Sequence, residues 1–159
     1  MSTIAVVATN SARVQSRNAK RIGDIMQFYA AFNLEYSVTG SYPDTTADPR
    51  SAACVSSNAC TGGWSGIVAD AALDAIMFPT YMGSKPSYPA GGGVTAAAGG
   101  YLYSSPWGPG TAPYSGITYP GGSPTLQYTL EGIVSCPMGI IWVRGSNYTN
   151  CIFSIDGKF

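Results

Sequence analysis

Residues 11–43 read SARVQSRNAKRIGDIMQFYAAFNLEYSVTGSYP, and whether they form one long helix decides what the rest of the chain must do. From Ser11 to Thr39 there is no proline and a single glycine, Gly23. Ile22, Ile25, Tyr29, Phe32 and Tyr36 recur at steps of three and four, with Met26 and Phe28 on the flanks, so one side of the helix is an apolar stripe. Gly40 stands where a helix turns into a left-handed residue and stops, ahead of Ser41-Tyr42-Pro43. The stripe is expected to pack on the chain's own domain.

Upstream, Ile4 to Ala8 is a short apolar run that passes without a turn signal into a basic segment. A helix from Ile4 to Val38 measures roughly 50 Å at 1.5 Å per residue. A globule of the remaining ~120 residues has a radius of gyration near 14 Å. The helix must overhang, and its first half, Ile4 to Arg21, holds only small residues and charges. Arg13, Arg17, Lys20 and Arg21 supply half of the eight positive charges, all before the first acid, Asp24.

At 159 residues the chain fits one domain with a real core. Its eight basic and eight acidic residues cancel, so no global field draws it to nucleic acid or anionic lipid. It has no histidine, the commonest general base and neutral metal ligand, so a serine triad cannot be built. No S-x-x-K sequence supports a Ser-Lys dyad. No enzymatic activity, cofactor or metal is expected. Asp70 and Asp74, four apart, read as a solvated helix face, and Asp156 before Gly157 stands alone, too few oxygens for calcium. Asn147-Tyr148-Thr149 matches a glycosylation acceptor, a pattern that also arises by chance. Trp64, Trp107 and Trp142, with eleven tyrosines, are divided between core and exposed loop.

The four cysteines, Cys54, Cys60, Cys136 and Cys151, allow three pairings; proximity favours Cys54 with Cys60 and Cys136 with Cys151. Neither pair has C-x-x-C spacing, so structural disulfides in an oxidising compartment are expected. Residues 40–124 read as a loop region, dense in glycine, proline and tyrosine beyond Tyr81, with a short helix from Ile67 to Met77 and a strand near Tyr101 to Ser104. In that helix Ala69, Ala72, Leu73, Ile76 and Met77 share one face. Residues 125–159 change period: Thr125–Val134, Met138–Arg144 and Cys151–Ile155 are β-rich runs divided by Pro137 and by Gly145-Ser146-Asn147. The fold class is α+β, a long N-terminal α-helix (residues 1–39) packed on a small antiparallel β-sheet.

The segment quoted at the outset, in which Ala-Lys-Arg leads into a long helix ended by Gly40-Ser41-Tyr42-Pro43, resembles the type IV pilins and pseudopilins. The likeness covers Ile4 to Pro43 and reaches the remainder by topology alone. It implies that this chain begins part-way along the family's N-terminal helix, lacking the methylated aromatic start and the glutamate, with Met1 to Val7 the remnant of the apolar half. It implies a subunit of an extracellular cell-surface filament, anchored in the inner membrane before assembly only through the missing half-helix. Its partners would be identical subunits, prepilin peptidase and a pilus assembly platform. Ile4, Val7, Arg13, Arg17, Lys20 and Arg21 would form the filament-packing helix. A major pseudopilin of a type II secretion system is the nearest alternative, and a secreted carbohydrate-binding or adhesion module is the alternative from another class.

Overall fold

In the computed structural model residues 11–39 of the quoted segment lie within a single 37-residue helix, α1 (Thr3–Thr39). The structure describes residues 3–45, 52–58, 60, 67–90, 99–105, 110–111, 118–119 and 122–159. Trp64 and Trp107 lie outside them. Gly40, at φ +79°, ends α1 as expected, its amide donating to the Tyr36 carbonyl at 2.8 Å.

The strands are β1 (Ala52–Cys54), β2 (Ile67–Val68), β3 (Leu102–Ser104), β4 (Gly110–Thr111), β5 (Thr118–Tyr119), β6 (Thr125–Glu131), β7 (Ile140–Arg144) and β8 (Tyr148–Ser154). Six of them form one sheet in the order β2-β1-β3-β6-β8-β7, and β4 pairs with β5 apart from it. Within the six-stranded sheet only β1 and β2 run parallel. The fold is α+β, a long N-terminal helix on a largely antiparallel sheet. All three C-terminal runs are strands, with the last in sequence, β8, lying between β6 and β7. Tyr128 and Ile141 both stand opposite Cys151, and the β7–β8 register slips at Trp142.

The helix and sheet share one core. Ile25, Phe28 and Phe32 of α1 meet Tyr101, Tyr103, Leu126, Tyr128 and Phe153, all buried. Phe32 stacks on Tyr103 with ring centroids 4.2 Å apart. The period-two pattern of β6 sends Leu126, Tyr128 and Leu130 into this core. Along β8, Phe153 joins it, whereas Ile152 packs with Trp142 in a second cluster.

Several expectations are corrected. The buried side of α1 is rotated from the apolar stripe, because Arg21, Asp24 and Glu35 are buried while Tyr29 and Tyr36 stay 39% and 47% exposed. Those charged groups find partners inside the domain, so hydropathy alone misplaces the face. The second helix, α2, runs Ala71–Met77, and Ile67 belongs to a strand. Asp70 is not on a solvated face: it is buried and caps α2, accepting from the amides of Ala72 at 3.1 Å and Leu73 at 3.0 Å. Leu73 and Met77 are the buried positions of α2, and Ile76 is exposed. Residues 44–63, read as loop, contain β1.

Both disulfides pair by proximity, Cys54–Cys60 and Cys136–Cys151, with Cα atoms 5.7 Å apart in each. The second ties the segment preceding β7 to the middle of β8. Gly139, at φ +77°, makes the turn into β7, and a Cβ there would run into the Ile152 carbonyl and Phe153 Cβ.

Candidate functional site

The basic residues singled out in the sequence divide where α1 reaches the end of β6. Glu131, the last residue of β6, turns its carboxylate to the helix. Arg17 grips it with two parallel bonds, Nε to Oε1 and Nη2 to Oε2, both 2.6 Å. Arg21 reaches the same carboxylate through Nη1 at 2.7 Å and donates through Nη2 to the Pro89 carbonyl at 2.7 Å. Residues 17 and 21 are one helical turn apart, so their side chains leave the same face and meet one acceptor. Asn18 fastens the backbone: its Nδ2 donates to the Glu131 carbonyl at 3.0 Å and its Oδ1 accepts from the Glu131 amide at 2.9 Å.

Arg21 is fully buried, and its guanidinium lies 4.8 Å from the centre of the Tyr88 ring. The Tyr88 hydroxyl donates to the Thr129 carbonyl at 2.6 Å, and burial pushes its pKa up to about 12. One turn along, Asp24 accepts from the Tyr101 hydroxyl at 2.6 Å and from Lys20 at 2.8 Å. The Arg17 hydrogen bonds hold the Glu131 carboxyl below its usual range; burial opposes them and Arg21 reinforces them.

Arg17 and Arg21, expected on the filament-packing helix, are each paired with Glu131 of their own domain. Lys20 pairs with Asp24 on its own helix. The physical reason is proximity: the domain covers the helix as far back as Arg17, four residues before the overhang was expected to end. No protein-family model, curated protein or solved structure matches this chain.

Before Arg17 the helix changes character. Thr9 to Arg13, Gln15 and Ser16 are exposed, and Val14 is half-buried. Arg13 remains a solvent-facing cation. Ile4 and Val7 belong to the same continuous helix, and their side chains are outside the described residues. Among the described residues, no helix is long and apolar enough to cross a membrane.

The sequence reading missed Glu131, the group around which the helix is docked. One signal was there: Glu131 is the sole acid between Asp74 and Asp156. A lone carboxylate closing a β-rich run has to find a cation, and the only dense cationic segment is in α1.

Proposed function

We propose that this chain is a structural subunit that polymerises through its N-terminal helix into an extracellular, pilus-like filament. The observation that carries the reading is the projecting segment of α1. Residues 9–13 are helical and exposed, ahead of the point where Arg17, Asn18 and Arg21 bolt the same helix to β6. A short helix standing in water is marginal by itself, whereas side-by-side packing with copies of the same segment satisfies it. The bolts make the projection useful, because force or torsion applied to the rod passes directly to the sheet.

In this reading each subunit makes a head-to-tail contact whose rotation does not close, which generates a filament in place of a ring. Helix packing supplies most of the assembly energy, since exposed ion pairs contribute only about 0–1 kcal/mol each. Two disulfides suit a subunit exposed to an oxidising environment. Identical subunits are the principal partners, and a prepilin peptidase and an assembly platform are the partners before assembly. No catalytic step is assigned.

The test is to express the complete gene in its source cells and image sheared surface filaments by electron cryomicroscopy. A helical core built from α1, with the sheet outward, is the expected result. Cells whose filaments lack this chain, or filaments unchanged when residues 3–16 are deleted, would overturn the reading.

A further inference from the structure

Away from the Glu131 cluster, at the opposite end of α1, an open cleft of about 750 Å³ lies between the last turns of the helix and the C-terminal segment of the chain. Tyr29, Tyr36 and Tyr42 line it, together with Asn33, Asp44 and Asp156. We infer that this cleft binds an extended neutral oligosaccharide, with the tyrosine rings as stacking platforms. The inference goes beyond the filament reading and does not depend on it.

Tyr29 and Tyr36 are seven residues apart on one helix, hence on nearly the same face, about 10.5 Å along its axis at ~1.5 Å per residue. That is close to the length of one disaccharide unit in an extended chain, so alternate sugars of one strand can lie over successive rings. The rings are braced by their neighbours. Tyr36 stacks against Tyr42 at 4.6 Å between centroids, and Tyr29 rests on Phe153 at 6.0 Å. The Tyr42 hydroxyl donates to Asn33 Oδ1 at 3.0 Å, and Asn33 Nδ2 donates to the Tyr29 carbonyl at 2.9 Å. Large amphipathic surfaces held this way cost little entropy on binding.

Charge in the cleft selects the ligand class. Lys158 pairs with Asp156 at 2.8 Å, which leaves the Asp44 carboxylate as the surplus charge among the described residues lining the cleft. The last turn of α1 carries no basic residue, so the negative end of the helix dipole is uncompensated there. An acidic glycan or a nucleic acid meets repulsion. A neutral sugar offers apolar C–H faces to the rings and hydroxyls to the carboxylates and amide, a mixture of contacts typical of ligand clefts.

The test is calorimetric titration of the isolated chain with cellohexaose, chitohexaose and maltohexaose, and with choline as a cationic control. Saturable binding of at least one hexaose is expected. Tyr29→Ala and Tyr36→Ala should each weaken it about tenfold. Tyr36→Phe, which keeps the ring face, should stay within about threefold. Both tyrosines are substantially exposed, so the variants are expected to keep their circular dichroism and to melt within about 6 °C of the native chain. No binding of any hexaose, binding indifferent to both alanine variants, equal losses for Tyr36→Phe and Tyr36→Ala, or saturation by choline alone would each overturn the assignment. Because the readout is taken on isolated chains, its failure leaves the filament reading standing.

Discussion

Glu131 joins helix to sheet by side chain and backbone alike, since its carboxylate receives Arg17 and Arg21 of α1 and its own backbone is clasped by Asn18. Glu131→Gln leaves the Arg21 charge buried without its counter-charge, and urea unfolding at neutral pH should show a loss of about 3–5 kcal/mol. The acid response follows from the same pair. Its folded-state pKa lies below the usual 4.5, so the unfolded chain takes up the proton first as pH falls. The contribution is complete above about pH 4.5 and disappears as pH drops through the folded value. Unfolding free energies measured between about pH 7 and about pH 3 should decline at the acid end in the native chain. In Glu131→Gln this component of the decline should be missing; parallel profiles would contradict the pairing. None of this was legible in local pattern, because an arginine at position 21 looks the same whether water or a carboxylate receives it. Only the scarcity of acids between Asp74 and Asp156 hinted at the partner.

For the elements, legibility followed the length of the signal. Twenty-nine residues with no proline and a terminal glycine made α1 readable from Ser11 to Gly40, and the two seven-residue strands β6 and β8 carried enough β-rich sequence to be found. The three-residue β1 and two-residue β2, made of Ala, Cys, Ile and Val, carry too little pattern to separate from loop. α2 starts at Ala71 and not at Ile67 because Asp70 acts through its capping oxygen, a role that its charge conceals in the sequence. The contrast between stripe and buried face of α1 can be measured: Phe32→Ala should destabilise by about 3–5 kcal/mol, and Tyr36→Ala by no more than about 1.5 kcal/mol, the worth of its stacked pair. Equal losses would mean that the helix is rotated from the orientation described. The Cys136–Cys151 bond closes a loop with a sequence separation of 15. Chain entropy then assigns it about 3 kcal/mol, so Cys136→Ser with Cys151→Ser should lower the unfolding free energy by roughly that amount.

The whole molecule is a rod fastened to a sheet, and the position of the fastening predicts how the chain answers to shortening. Two stretches of one continuous helix have different dependencies: residues 9–16 are mostly exposed, while 17–35 supply the Glu131 bolts, the Asp24–Tyr101 bond and the Phe28 and Phe32 core. Among the described residues, none of 9–15 supplies a side chain to these bolts or to that core. The melting temperature should then shift by only about 2–4 °C, the equivalent of ~1 kcal/mol in a domain of this size. Carrying the deletion through Arg21 strips both cations from a buried carboxylate and bares the end of β6, with an expected loss of about 3–5 kcal/mol. A step between these two truncations is the signature of a helix whose front half is not needed for folding, and a rod kept without benefit to its own fold is what an assembly contact requires. A gradual decline, equal per residue removed, would mean instead that the front half stabilises the subunit itself, and the physical argument for reserving it for neighbouring copies would be lost.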